Sequence, residues 1–129
     1  PKGRQEVLDT IHRLNKEEGI TIILITHFME EAVTADRIVV MKNGMKLQEG
    51  TPREIFTQVD TLKSLGLDVP VAAEVALKLY RNGMDVSTDI ITNDELGRAL
   101  ESVFSSSKLE KEISISLSKS TESISKEVR

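Results

Sequence analysis

Six consecutive positions, Ile20-Thr21-Ile22-Ile23-Leu24-Ile25, are almost all β-branched or leucine, and they run straight into Thr26-His27. A strand with one wet face alternates apolar and polar residues. A stretch of this length in which Thr21 alone interrupts the apolar residues predicts a strand covered on both faces, as in a parallel sheet. Residues 4–17 predict a helix, with Val7, Leu8, Ile11 and Leu14 on one face and Arg4, Glu6, Arg13 and Lys16 toward water. Gly19 sits where such a helix stops. Helix followed by buried strand is half of a βαβ repeat, so the expected fold class is α/β. Open α/β sheets bind ligands beyond the carboxyl ends of their strands, which is where Thr26 and His27 emerge.

Downstream, local signals set the elements. Residues 28–35 predict a short helix with Met29, Ala32 and Val33 as its apolar side and Glu30 and Glu31 in a solvated first turn. Ile38-Val39-Val40-Met41 and Met45-Lys46-Leu47-Gln48 flank Asn43-Gly44, the signature of a hairpin with a type I′ turn. Met41 and Met45 read as packing residues. Thr51-Pro52-Arg53-Glu54 combines a cap, a first-turn proline and a capping box. A helix is expected over 60–65. Another opens at Pro70, offers Val71, Val75, Leu77, Leu79 and Tyr80 for burial, and stops at Asn82-Gly83. Thr92-Asn93-Asp94-Glu95 is a second capping box, opening a helix to about Phe104. Nine of the last 25 residues are serine. There Leu109, Ile113 and Leu117 suit a helix face, while Ile113, Ile115 and Leu117 suit a strand. That conflict predicts a weakly structured tail.

Composition removes several function classes. Without cysteine there is neither disulfide nor thiol chemistry. The two histidines, His12 and His27, are far apart, so no histidine zinc site is expected. His12 falls beside the apolar face of the first helix and reads as structural. A net charge of −4, 3% aromatics and no basic stripe argue against a nucleic-acid partner. The longest apolar runs are four residues, Ile22 to Ile25 and Ile38 to Met41, against the ~20 needed to span a bilayer. The chain opens on Pro1 without methionine, which reads as a truncated start.

One residue stands out chemically. An imidazole at the end of a buried parallel strand can hydrogen-bond a phosphate oxygen or a catalytic water. An isolated histidine there more often caps the strand. Here it heads an ordered series: Thr26-His27, Met29-Glu30-Glu31-Ala32, Ala35-Asp36-Arg37, an apolar strand, Asn43-Gly44, Gly50-Thr51-Pro52 and Glu54-Ile55-Phe56. The series resembles the C-terminal part of ABC transporter ATP-binding subunits over residues 1–58. The resemblance implies that His27 is the switch histidine contacting the ATP γ-phosphate. It further implies that Pro1-Lys2-Gly3-Arg4 follows the D-loop. Leu65-Gly66-Leu67-Asp68-Val69-Pro70 and the helix ending Arg81-Asn82-Gly83 are similar to the C-terminal extension of energy-coupling factor and cobalt-type importer ATPases.

The implied architecture is the C-terminal part of a P-loop NTPase (ABC ATPase) domain with a β-hairpin over 1–58, then a small α-helical extension over 59–104 and the tail over 105–129. The implied substrate and cofactor are ATP and Mg2+, held mainly by elements upstream of Pro1. The implied partners are a second ATPase subunit, identical or different, a transmembrane coupling subunit and a substrate-binding membrane subunit. The implied location is the cytoplasmic face of the cell membrane, with the subunit peripheral to it. The phosphate-binding half is not in this sequence. None of its seven glycines precedes a lysine, so there is no Gly-x-x-x-x-Gly-Lys loop, and no Gly-Gly pair is present. Ile90-Ile91-Thr92-Asn93-Asp94-Glu95 imitates a Walker B strand, but Thr92/Glu95 is a capping box. The expectation is therefore a chain inactive alone whose neighbouring strands are missing, leaving exposed apolar faces. The competing readings are a non-catalytic dimerisation or regulatory module, and an ABC ATPase of another transport class.

Overall fold

A computed structural model describes residues 2–127, with side chains through Ile124. The expectation about the start at Pro1 and the end of the tail fall outside those residues. The elements are α1 (Lys2–Glu18), α2 (Met29–Ala32), β1 (Ile38–Lys42), β2 (Met45–Gly50), α3 (Pro52–Phe56), α4 (Val59–Ser64), α5 (Val71–Arg81) and α6 (Asn93–Glu127).

The hairpin forms as its turn residues dictate. β1 and β2 pair antiparallel, with Lys42 opposite Met45 and a register shift between Val40 and Met41. Asn43 and Gly44 take φ of 51° and 75°, the left-handed values that a type I′ turn requires. Met41 and Met45 point to solvent rather than packing, a correction to their expected role. α3 starts on the capping box: Thr51 Oγ1 accepts from the Glu54 amide, and the Glu54 carboxylate accepts from the Thr51 amide at 2.8 Å. Such a cap is worth about 1 kcal/mol. α5 ends in a Schellman motif, with Gly83 at φ 84° donating to Tyr80 O and Met84 donating to Leu79 O.

The core lies in the middle of the chain. Ile55, Phe56, Val59, Leu62, Val69, Ala73 and Ile91 form one buried cluster, and Met29, Ala32, Val33, Ile38 and Val40 pack against it. Ala72, Ala76, Val86 and Ile90 form a second cluster, closed by Leu96, Ala99 and Val103 of α6. α5 therefore buries its alanines, while Val71 and Tyr80 stay exposed against expectation. The short side chains let α5 sit close to both α4 and α6.

Two further expectations change. The run at 20–25 forms no strand; the only ladder among the described residues joins β1 to β2. Ile23 and Ile25 are 88% and 95% exposed. A parallel strand obtains its hydrogen bonds and its cover from neighbouring strands, and among the described residues none lies beside this segment. The serine-rich region, expected to be weakly structured, continues α6 as helix to Glu127. Leu109, Ile113, Leu117 and Ile124 all remain exposed along it. Among the described residues no helix is long and apolar enough to cross a membrane.

Candidate functional site

α1 and the segment before α2 enclose an open recess of about 260 Å³. Val7, Leu8 and Ile11 of α1 form its apolar side, with Thr26, His27 and Phe28 at the other. α1 buries no residue completely, so its apolar stripe serves this recess rather than the core. α2 supplies the fixed side: Met29 and Ala32 anchor it to the first core cluster, which sets the position of the turn just before it.

Glu31 organises the site. It is 8% exposed, the one buried charged residue among the described residues, although its place in a first helical turn predicted a solvated role. One carboxylate oxygen accepts from the Arg4 guanidinium. The other accepts from Thr26 Oγ1 at 2.6 Å. Thr26 Oγ1 in turn accepts from the Phe28 amide at 3.0 Å. Arg4, expected to face water, also lies 3.4 Å from the centre of the Phe28 ring, a cation–π contact. The hydrogen bond from Arg4, followed by that from Thr26, holds the Glu31 carboxyl below the usual carboxylate range, outweighing the opposing effect of burial.

His27 lies between the tethered Thr26 and Phe28. It is exposed, and its ring sits 4.2 Å from the Phe28 ring at 34°. The turn thus fixes the backbone on both sides of the imidazole while leaving the ring nitrogens open to an incoming oxygen. His12 is elsewhere occupied: its Nε2 lies 3.1 Å from Thr34 Oγ1. Ile90 and Ile91 are buried, and the Glu95 carboxylate accepts from the Ile91 and Thr92 amides at 2.9 and 3.1 Å. That carboxylate works as a helix cap, as the sequence predicts.

The donor set fits one contact to a phosphate and not a complete cradle. Both oxygens of Glu31 and the hydroxyl of Thr26 are already engaged. Among the described residues no group of three or more histidine, aspartate or glutamate side chains is placed to hold a metal ion. Sequence reasoning singled out His27 and placed Glu31 and Arg4 in water, whereas Glu31 is buried and bonded to Arg4. Thr26 and Glu31 are five residues apart, a spacing that local reading could have noticed. Arg4 lies 27 residues from Glu31, and nothing local connects them.

No family model matches the chain. Among curated proteins it is 57% identical over 100 residues to the energy-coupling factor transporter ATP-binding protein EcfA1 of Clostridium perfringens, covering 78% of this chain and 36% of that protein. The protein of the same name from Clostridioides difficile is 58% identical over 96 residues, covering 74% of this chain and 35% of its own length. That from Symbiobacterium thermophilum is 49% identical over 105 residues, covering 81% and 37%. The chain spans little more than a third of the length of these relatives. At such identities, sustained over most of its residues, the chain belongs to the family of energy-coupling factor transporter ATP-binding proteins.

Proposed function

We propose that this chain is the histidine-bearing C-terminal part of the ATP-hydrolysing subunit of an energy-coupling factor importer of the ABC type. Residues 1–58 belong to its P-loop NTPase domain and residues 59–104 to a helical extension. The observation that carries this reading is the turn itself: Thr26 and Phe28 are tethered while His27 stands exposed between them.

In this reading the His27 imidazole donates a hydrogen bond to an oxygen of the ATP γ-phosphate. Charge shifts onto the transferring group and the leaving oxygen during hydrolysis, and a fixed donor aimed there stabilises the transition state more than the bound substrate. The carboxylate that orients the attacking water, the phosphate loop and the Mg2+ ligands belong to residues upstream of Pro1. The subunit works at the cytoplasmic face of the membrane with a second ATPase subunit, a transmembrane coupling subunit and a substrate-binding membrane subunit. Its cargo is a vitamin or a transition-metal ion such as cobalt.

The test is His27→Ala in the full-length subunit assembled with its partners. The expected result is ATP affinity within about threefold of the parent, with turnover reduced ~100-fold or more. Unchanged turnover would remove His27 from the reaction.

A second reading, a non-catalytic dimerisation module, draws on the exposed stripe of Leu109, Ile113, Leu117 and Ile124 on α6. It predicts self-association of this chain that truncation after Phe104 abolishes, measured by sedimentation.

A further inference from the structure

The turn that carries His27 has no regular secondary structure of its own. Its Phe28 carbonyl accepts from the Glu31 and Ala32 amides at the start of α2, and its side-chain bonds all lead to Glu31. Thr26 Oγ1 donates to Glu31 at 2.6 Å and accepts from the Phe28 amide at 3.0 Å. The remaining oxygen of Glu31 holds Arg4, whose guanidinium covers the Phe28 ring, and that ring lies against His27. Glu31 itself is buried on α2, which Met29 and Ala32 fix to the core. A buried carboxylate is costly unless both oxygens are paired, and this one is paired only with groups that border His27.

We infer that Glu31 is a positioning residue for His27, holding the 26–28 turn from one side through Thr26 and from the other through Arg4. The inference rests on the proposed role of His27. Arg4 lies in the first turn of α1, so the pair also connects the beginning of this chain to the histidine. Movement of that first turn would reach His27 through the Glu31 carboxylate.

Three variants of the assembled full-length subunit test this: Glu31→Gln, His27→Ala and the two combined. Glu31→Gln keeps the shape of the side chain and loses the charge that pairs with Arg4. Displacing a reacting group by about an ångström costs on the order of 10- to 100-fold in rate. Glu31→Gln is therefore expected to lower kcat by roughly that factor while KM for ATP changes less than about twofold. In the His27→Ala background it should cost nothing further, because it acts only through the imidazole. An equal loss in both backgrounds would show a general structural role and overturn the inference. So would full activity of Glu31→Gln beside a crippled His27→Ala, which leaves the reading of His27 standing. Full activity of His27→Ala would sink both. Should Glu31→Gln fail to fold, Thr26→Val breaks the same link with an isosteric side chain, and the same comparison of backgrounds decides.

Discussion

Arg53 Nη2 lies 2.5 Å from Glu95 Oε1, joining the first turn of α3 to the first turn of α6 across 42 residues of chain. Burial raises the Glu95 carboxyl, but Arg53 and the Ile91 and Thr92 amides outweigh it and hold it at about 2. The ordinary value for an unfolded glutamate is about 4.3. A lowered folded pKa contributes stability that is present above the unfolded value and is lost as pH falls through the folded one. Glu95 should therefore stabilise the fold at neutral pH, with the contribution disappearing between about pH 4.3 and 2. Because Arg53 is partly exposed, its worth is on the order of 1 kcal/mol. Glu74, held at about 2 by Lys63 and then Lys78, titrates in the same window. The measurement is thus the difference in urea midpoint between Glu95→Gln and the parent, expected to shrink on acidification. A difference independent of pH would refute the assignment.

Leu62 is 1% exposed at the centre of the first core cluster, whereas Ile25 is 95% exposed. Leu62→Ala should cost about 2–5 kcal/mol through lost burial and a residual cavity. Ile25→Ser in the same chain should change stability by less than about 0.5 kcal/mol and raise solubility. Denaturant titrations of the two variants check both values. A large loss for Ile25→Ser would mean that the 20–25 run is covered after all.

Gly44 occupies φ of 75° in a two-residue turn with open space around its α-carbon. Gly44→Ala would meet no neighbour, so the whole cost is conformational, about 1 kcal/mol. A calorimetric midpoint unchanged by Gly44→Ala would show that the turn relaxes to another type.

Beyond Phe104, α6 leaves the second core cluster, and its side chains through Ile124 are exposed. Ending the chain after Phe104 should leave the thermal midpoint within about 2 °C while reducing helical ellipticity. A collapse of the midpoint would make the serine-rich segment part of the cooperative fold.

The parts legible in sequence share one property: their partners are near in the chain. Thr51 and Glu54, Thr92 and Glu95, and Asn43-Gly44 each state a local geometry through residues within one turn. The unpaired state of 20–25 was not legible, because an apolar run shows only that a strand needs cover and cannot show whether cover is there. Burial on α5 misled for a related reason. Val71 and Tyr80 look like core residues, yet the close approach of α4 and α6 selects Ala72, Ala73 and Ala76. In the candidate site, His27 is singled out by the ordered series around it, and its role is the proposal to be tested. Glu31 was read as solvated because its partner Arg4 lies on a different element.

The central claim is that His27 contacts the γ-phosphate. Its most direct measurement is imidazole nitrogen NMR of the full-length subunit, with His27→Ala used for assignment. Adding Mg2+ with a non-hydrolysable ATP analogue should shift the His27 ring nitrogens, and Mg2+ with ADP should leave them near their nucleotide-free positions. Identical His27 signals with the two nucleotides would contradict the account.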